Sequence, residues 1–200
     1  MKRLLLYVHF NKYNKISEHV YYQLEHMHPL FSKVIFISNS QLDEGEVDKL
    51  RQSQLVDAFI QRENIGYDFA AWHDGMAFEG FENLKAYDSV TAMNDTCFGP
   101  LWDMAPVYDK YESDEKVDFW GMTNHRAIDA GHIYIDEHLQ SYFMSFKKSI
   151  VISEVFQEFW KSVEAYTDVQ KVIDNYETKY TKRFVDAGFR YASVLNTVPI

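Results

Sequence analysis

The chain predicts an α/β fold, a mostly parallel sheet flanked by helices in a single domain. Three observations carry this. Short continuous apolar runs alternate with helical stretches through the first half of the chain. The runs lack the in–out alternation of a strand with one wet face, so both faces are expected to be buried. Each run is followed directly by a polar cluster, as at the carboxyl ends of parallel strands where ligands bind. Right-handed βαβ units supply the connections, and 200 residues suffice to bury a sizeable core.

Residues 4–10 (LLLYVHF) form the first predicted strand. Ser17 then caps a helix with the stripe Val20, Leu24 and Met27, which Pro29 stops. Residues 33–38 (KVIFIS) are a second buried strand, ending in the turn formers Ser38, Asn39 and Ser40. A polar helix is expected over 43–54, a short strand over 56–61, a helix over 69–78 and a fourth strand over 89–93. The second half is less regular. Residues 117–121 read as a strand, 124–137 as a polar loop and 138–146 as one more strand. Ser153 caps a helix whose Phe156, Phe159, Trp160 and Val163 make a clear buried stripe. A last helix covers 168–187, with a break expected near Tyr176, and Gly188 suits the position just past its end.

A net charge of −10 argues against nucleic acid as a main partner, though local groups can still hold a nucleotide. Most of the 33 aromatic residues are expected in the core; some suit sugar or base sites. The single cysteine, Cys97, excludes an internal disulfide, fits a reducing cytosol and reads as a small buried residue. The apolar run near the N-terminus breaks at His9 without a cleavage site, and no stretch reaches the length of a membrane span. The chain is therefore expected to be soluble and cytoplasmic.

Four polar clusters converge on one sheet edge: His9 with Asn11, Ser38 with Asn39, Asn64 with Gly66 and Asp68, and Asn94 with Asp95 and Thr96. Gly66 would let the backbone approach a ligand. Asp68, in the first turn of a helix, is either a ligand-binding acid or a simple partner of the helix dipole. Asp95 with its polar neighbours could hold a divalent cation against a diphosphate; the alternative is an Asx turn leading into Gly99 and Pro100. Glu177 shares a helical face with Tyr180, Thr181 and Phe184 and is either a general base or a surface carboxylate. His125, His132, Asp136 and His138 match no standard metal spacing and read as solvated loop residues. No G-x-S-x-G, P-loop or G-x-G-x-x-G motif occurs, which disfavours serine hydrolases, P-loop enzymes and nicotinamide dehydrogenases.

Taken together, residues 59–72 (FIQRENIGYDFAAW), 89–96 (SVTAMNDT) and Glu177 with Arg183 and Gly188 resemble, in order, three motifs of inverting GT-A glycosyltransferases. These are an Asn-x-Gly segment, the metal-binding Asp-x-Asp and the acidic motif of the catalytic base. Residues 4–13, 62–68, 93–100, 118–121 and 138–143 are similar to the rhamnan synthesis protein F family of bacterial rhamnosyltransferases. One departure stands out: Asn94 and Thr96 replace the outer acids of Asp-x-Asp, leaving Asp95, and Ser38 and Asn39 replace the acid expected after the second strand.

The resemblance implies a GT-A domain over 1–200, with a nucleotide-binding half (1–100) and an acceptor and catalytic half (101–200). The stop at Ile200 in an apolar stretch leads us to expect a domain truncated at the C-terminus. It implies transfer of rhamnose from dTDP-β-L-rhamnose, with inversion, to a lipid-linked rhamnan on the cytoplasmic membrane face. Tyr7, His9, Asn11 and Ser38 would border the nucleotide, Asn64, Gly66 and Asp68 would hold the nucleoside or sugar, and Asn94 and Thr96 would meet the diphosphate. Asp95 would bind Mg²⁺ or Mn²⁺, Glu177 would be the base, and Trp120, Tyr142 and the 124–137 loop would shape the acceptor side. Two alternatives remain: a non-catalytic sugar-nucleotide or glycan-binding module, and a metal-dependent hydrolase using the histidine loop.

Overall fold

A computed structural model describes residues 1–132 and 134–197. Residue 133 of the predicted acceptor loop and the apolar residues 198–200 lie outside them. β1 (Arg3–His9) leads through α1 (Glu18–Met27) to β2 (Lys33–Ser38). There follow α2 (Glu44–Gln52), β3 (Ala58–Gln61), α3 (Tyr67–Glu79), α4 (Phe81–Leu84) and β4 (Ser89–Asn94). The second half contains α5 (Ala105–Ser113), β5 (Phe119–His125), the paired short strands β6 (Ile128–Asp129) and β7 (Tyr134–Ile135), β8 (His138–Leu139) and β9 (Phe143–Lys147). It ends with α6 (Lys148–Val151), α7 (Glu154–Lys161), α8 (Val169–Val172), a π-helical turn (Ile173–Glu177), α9 (Tyr180–Asp186) and β10 (Tyr191–Leu195).

The main sheet has the order β10-β5-β9-β4-β1-β2-β3, with β8 paired to β5. Along this path only β9 runs against its neighbours. Reversing one strand between β4 and β5 leaves β5 and β10 pointing the same way as β1 to β4. Six strand ends therefore meet along one edge, the edge at which parallel sheets bind ligands.

The central strand shows why the first run had no alternation. Leu4, Leu6 and Val8 share a core with Ile35 and Ile37 and with the apolar faces of α3, α7 and α9. Leu5 and Tyr7 face the other way, with Val34 and Phe36, against α1, Leu50 of α2 and α5. With roughly 1.5–3 kcal/mol from each large apolar side chain fully buried, β1 is a rigid floor under the residues that follow it. The stripe of α7 is buried as predicted, and Ser153 Oγ caps it by accepting from the Phe156 N–H at 3.3 Å.

Four expectations need correction. The predicted strand over 138–146 divides into β8 and β9 with a turn at 141–142, because the two pieces pair with different stretches of neighbouring backbone. The loop over 124–137 contains the end of β5 and the β6–β7 pair. The break expected near Tyr176 is present as the π turn, where both the N–H and the hydroxyl of Thr178 bond the Ile173 carbonyl at 3.1 Å. Cys97 is exposed, since it sits on the loop after β4 and not in the strand. Ser17 occupies the N-cap of α1 but makes no side-chain cap bond; its Oγ accepts from Asn11 Nδ2 at 3.2 Å instead.

Candidate active site

A cleft of about 360 Å³ opens at the strand-end edge between the loops after β1, β3 and β4. Asn11, Asn64, Asp68, Asp95 and Thr96 line it as the sequence predicts, together with Phe10, His19 and Tyr67. Asp68 stands in the first turn of α3, and Asn94 at the end of β4 donates from Nδ2 to Asp68 Oδ2 at 2.8 Å. The same Asn94 accepts the Thr96 N–H on its Oδ1 at 3.1 Å. Asn94 thus makes the Asx turn and supports the Asp68 carboxylate at once.

The two carboxylates are electrostatically uncomfortable. Burial raises the Asp68 pKa; the Asn94 hydrogen bond opposes this, the Glu177 charge adds to it and the Arg62 charge offsets it. Burial pushes Asp95 up to about 7, against one backbone bond from the Phe10 N–H (3.2 Å) and with the Asp68 charge adding to the rise. Among the described residues that line the cleft there is no Lys or Arg. His9 Nε2 lies 3.9 Å from Asp95 Oδ2, yet burial lowers the His9 pKa to about 4, so the ring is neutral and forms no ion pair near pH 7. A site that partly buries two carboxylates together, with only the Arg62 charge to offset them, favours a cation. Among the described residues no three His, Cys, Asp or Glu converge as a complete metal cage. The donor set fits the Mg²⁺ manner, in which one or two carboxylates hold the ion and phosphate oxygens and water complete its shell.

Glu177 ends the π turn, half-buried, and its charge is felt by Asp68 and by Tyr180. The turn therefore puts it within electrostatic reach of the cleft across 109 residues of sequence from Asp68. Arg62 braces the loop after β3: Nε meets Asp74, Nη1 meets Asn39 and Nη2 meets the Ile65 carbonyl, each at 2.7 Å.

Six predicted contacts lie elsewhere. Tyr7 is fully buried with its hydroxyl on Gln23, so it belongs to the core. His9 is also fully buried. Its Nε2 faces the Lys15 carbonyl at 3.2 Å and so carries the hydrogen, while Nδ1 meets Ser38 Oγ at 3.1 Å. Ser38 is spent on that bond and on the Ser40 N–H. Gly66 is required by packing and not by a ligand: φ is +75°, and a Cβ there would lie 2.7 Å from Ala165 Cα. Trp120 is fully buried among Tyr108, Tyr111 and Phe143, away from any acceptor. Tyr142 is half-buried, shares a 2.8 Å bond with Thr123 and lines a separate apolar cavity. In the histidine loop, His125 and His138 stack at 5.4 Å and His132 is exposed, with no metal cluster among the described residues.

His19, Tyr67 and Phe10 were missed by sequence reasoning. His19 lies in the first turn of α1 and reaches the Asp95 carbonyl at 3.2 Å. Its signal was available, because a helix following a parallel strand starts at the strand-end edge. Tyr67 has φ +50° and donates to the Thr167 carbonyl at 3.2 Å. Phe10 contributes its backbone, which no side-chain pattern announces.

The fold and the cleft define a GT-A type domain, the architecture shared by nucleotide-sugar transferases and nucleotidyltransferases. A crystal structure of a nucleotide-diphospho-sugar transferase from Desulfovibrio desulfuricans G20 superposes with TM-score 0.51 at 14% identity, covering 98% of this chain and 80% of that one. HddC from Yersinia pseudotuberculosis superposes with TM-score 0.53 at 10% identity, over 98% of this chain and 91% of that one. The family model for rhamnan synthesis protein F matches residues 34–200, and the chain belongs to that family. The protein y4gN of Sinorhizobium fredii is 31% identical over 181 residues, which is 90% of this chain and 45% of that protein. The chain thus spans less than half the length of this relative. No helix among the described residues is long and apolar enough to cross a membrane.

Proposed function

We propose that the chain is the GT-A domain of a glycosyltransferase that moves rhamnose from dTDP-β-L-rhamnose to a growing cell-wall rhamnan with inversion. The observation that carries the reading is the partly buried pair Asp68 and Asp95 at the strand-end edge, with the Glu177 charge acting on Asp68 from the far end of the sequence. Asn11, Asn64 and His19 line the nucleoside end of the cleft, and Thr96 lies beside the carboxylates that meet the diphosphate. Asp95, with Asp68 behind it, would hold Mg²⁺ or Mn²⁺. The ion's contribution would be to neutralise the diphosphate as it departs. Residues 1–100 would supply this donor wall, and the later half the base.

The Glu177 carboxylate takes the proton of an acceptor hydroxyl, and that oxygen attacks the anomeric carbon from the face opposite the diphosphate. The new C–O bond forms as the bond to the phosphate oxygen breaks, and dTDP leaves with its electron pair. One displacement inverts the configuration, so a β-donor gives an α-linkage. The acceptor in this reading is a lipid-linked glycan at the cytoplasmic membrane face.

Titration calorimetry with dTDP, UDP and GDP in the presence of Mn²⁺ tests the donor assignment. Preferential binding of dTDP supports it. A cleft that ignores every nucleoside diphosphate ends it. Tight dTDP binding without transfer to any rhamnan acceptor would favour a sugar-nucleotide-binding module of a larger synthase.

A further inference from the structure

The loop after β4 leaves large apolar groups in water. Residues 96–102 (TCFGPLW) contain no charge. Phe98 and Leu101 are each 79% exposed, and Trp102 is 45% exposed. Contacts hold this loop in place. Gln23 of α1 donates to the Cys97 carbonyl, and the Tyr22 hydroxyl donates to the Pro100 carbonyl at 3.0 Å. The Phe98 ring rests on His19 at 4.8 Å, and buried Met104 anchors the far end. The apolar side chains are therefore displayed by a fixed backbone.

A second loop on the same edge has matching chemistry. Residues 10–15 (FNKYNK) contain no acid. They expose Phe10 and Tyr13 beside Lys12 and Lys15, with the Lys12 ammonium 4.9 Å from the Tyr13 ring. The Phe10 N–H joins this loop to Asp95, at the foot of the first one. In a chain of net charge −10, residues 10–15 carry two lysines and no carboxylate, and residues 96–102 carry no charge between Asp95 and the exposed Asp103.

We propose that these loops dock the domain on an anionic phospholipid bilayer. Phe98, Leu101 and Trp102 enter the interfacial layer, as aromatic and leucine side chains do in peripheral anchors, and Lys12 and Lys15 meet lipid phosphates. The net charge of −10 opposes adsorption by any face, so the loops set the orientation, with the cleft of Asp68 and Asp95 beside the membrane plane. The docking stands on the exposed residues; only its purpose, meeting a lipid-carried acceptor, rests on the transferase reading.

Co-sedimentation of the chain with vesicles of phosphatidylcholine, alone or mixed with phosphatidylglycerol, tests this. The chain is expected to pellet with the mixed vesicles. Trp72, Trp120 and Trp160 are fully buried, so a blue shift of tryptophan emission on adding vesicles reports Trp102. Phe98→Ser with Leu101→Ser should lower the partition coefficient roughly tenfold or more. Lys12→Gln with Lys15→Gln should lower it roughly fivefold per lysine, with the difference vanishing in high salt. A wild-type chain left in the supernatant with both vesicles overturns the proposal, as does a Phe98→Ser, Leu101→Ser variant that pellets like wild type. A concentration-dependent dimer abolished by that variant, without vesicle binding, would make the patch a self-interface and also overturn it. Docking by a chain that binds no nucleoside diphosphate keeps this inference and removes the transferase reading.

Discussion

His9 with Ser38 and Asp95 with Asp68 are polar pairs at neighbouring strand ends, and they have opposite fates. The first pair is closed: His9 is neutral, both ring nitrogens are bonded, and no ligand can reach it. The second is open: Asp95 is raised to about 7, and Asp68 is supported by one amide. A polar cluster that satisfies itself is structure. One that keeps unmet charge beside a cleft is a candidate for chemistry.

The sharpest way to break that contrast is at the open end. Glu177→Gln should lower transfer by roughly a hundredfold or more while dTDP affinity stays within about twofold. A variant turning over at the wild-type rate would remove Glu177 as the base. Asp95→Asn should abolish stimulation by Mn²⁺, measured as the ratio of rates with Mn²⁺ and with EDTA. A wild-type enzyme fully active in excess EDTA would take the metal out of the scheme.

The same carboxylate predicts a pH dependence of stability. The Asp95 pKa rises from 3.8 to about 7 on folding, so the folded state keeps a proton that the unfolded chain releases. Its stabilising contribution is complete below about pH 4, declines as pH rises and is lost above about pH 7, by about 4 kcal/mol at most. Urea melts across that window should show the decline. Asp95→Asn should flatten most of it and leave the part due to Asp68.

At the closed end the signs reverse. His9→Ala should cost about 2 kcal/mol of stability by opening a cavity and stranding the Lys15 carbonyl, with dTDP affinity unchanged in the folded protein. A large loss of affinity would return His9 to the site. Gly66→Ala should cost about 1–2 kcal/mol through the positive φ and the approach of Ala165. An unchanged melting temperature would show that the loop can move away.

The strands were legible because a central parallel strand is apolar on both faces, which leaves a continuous run. α5 was not legible: it buries Tyr108, Tyr111 and Glu112, and Glu112 is inside because Arg3, 109 residues away, bonds it at 2.5 Å. Periodicity cannot see such a partner. At the site, Asn11, Asn64, Asp68, Asp95 and Thr96 were found by the strand-end rule, which places residues on an edge without saying which way they face. Tyr7 and His9 obey the same rule but point into the layer between sheet and helices. Trp120 went wrong through residue type alone, as a tryptophan suits a sugar face and a core equally well.

The contact behind Gly66 links the two halves of the molecule. The Gly66 N–H bonds the Tyr166 carbonyl at 2.8 Å, and Tyr67 holds Thr167. From there the chain runs at once into the Asp168-capped turn that leads to Glu177. The strip beside Asp68 and the strip bearing Glu177 are thus riveted at a shared seam. On the proposed function, a displacement that a nucleotide imposed on the first would reach the second, tying the seating of the donor to the alignment of the late carboxylate.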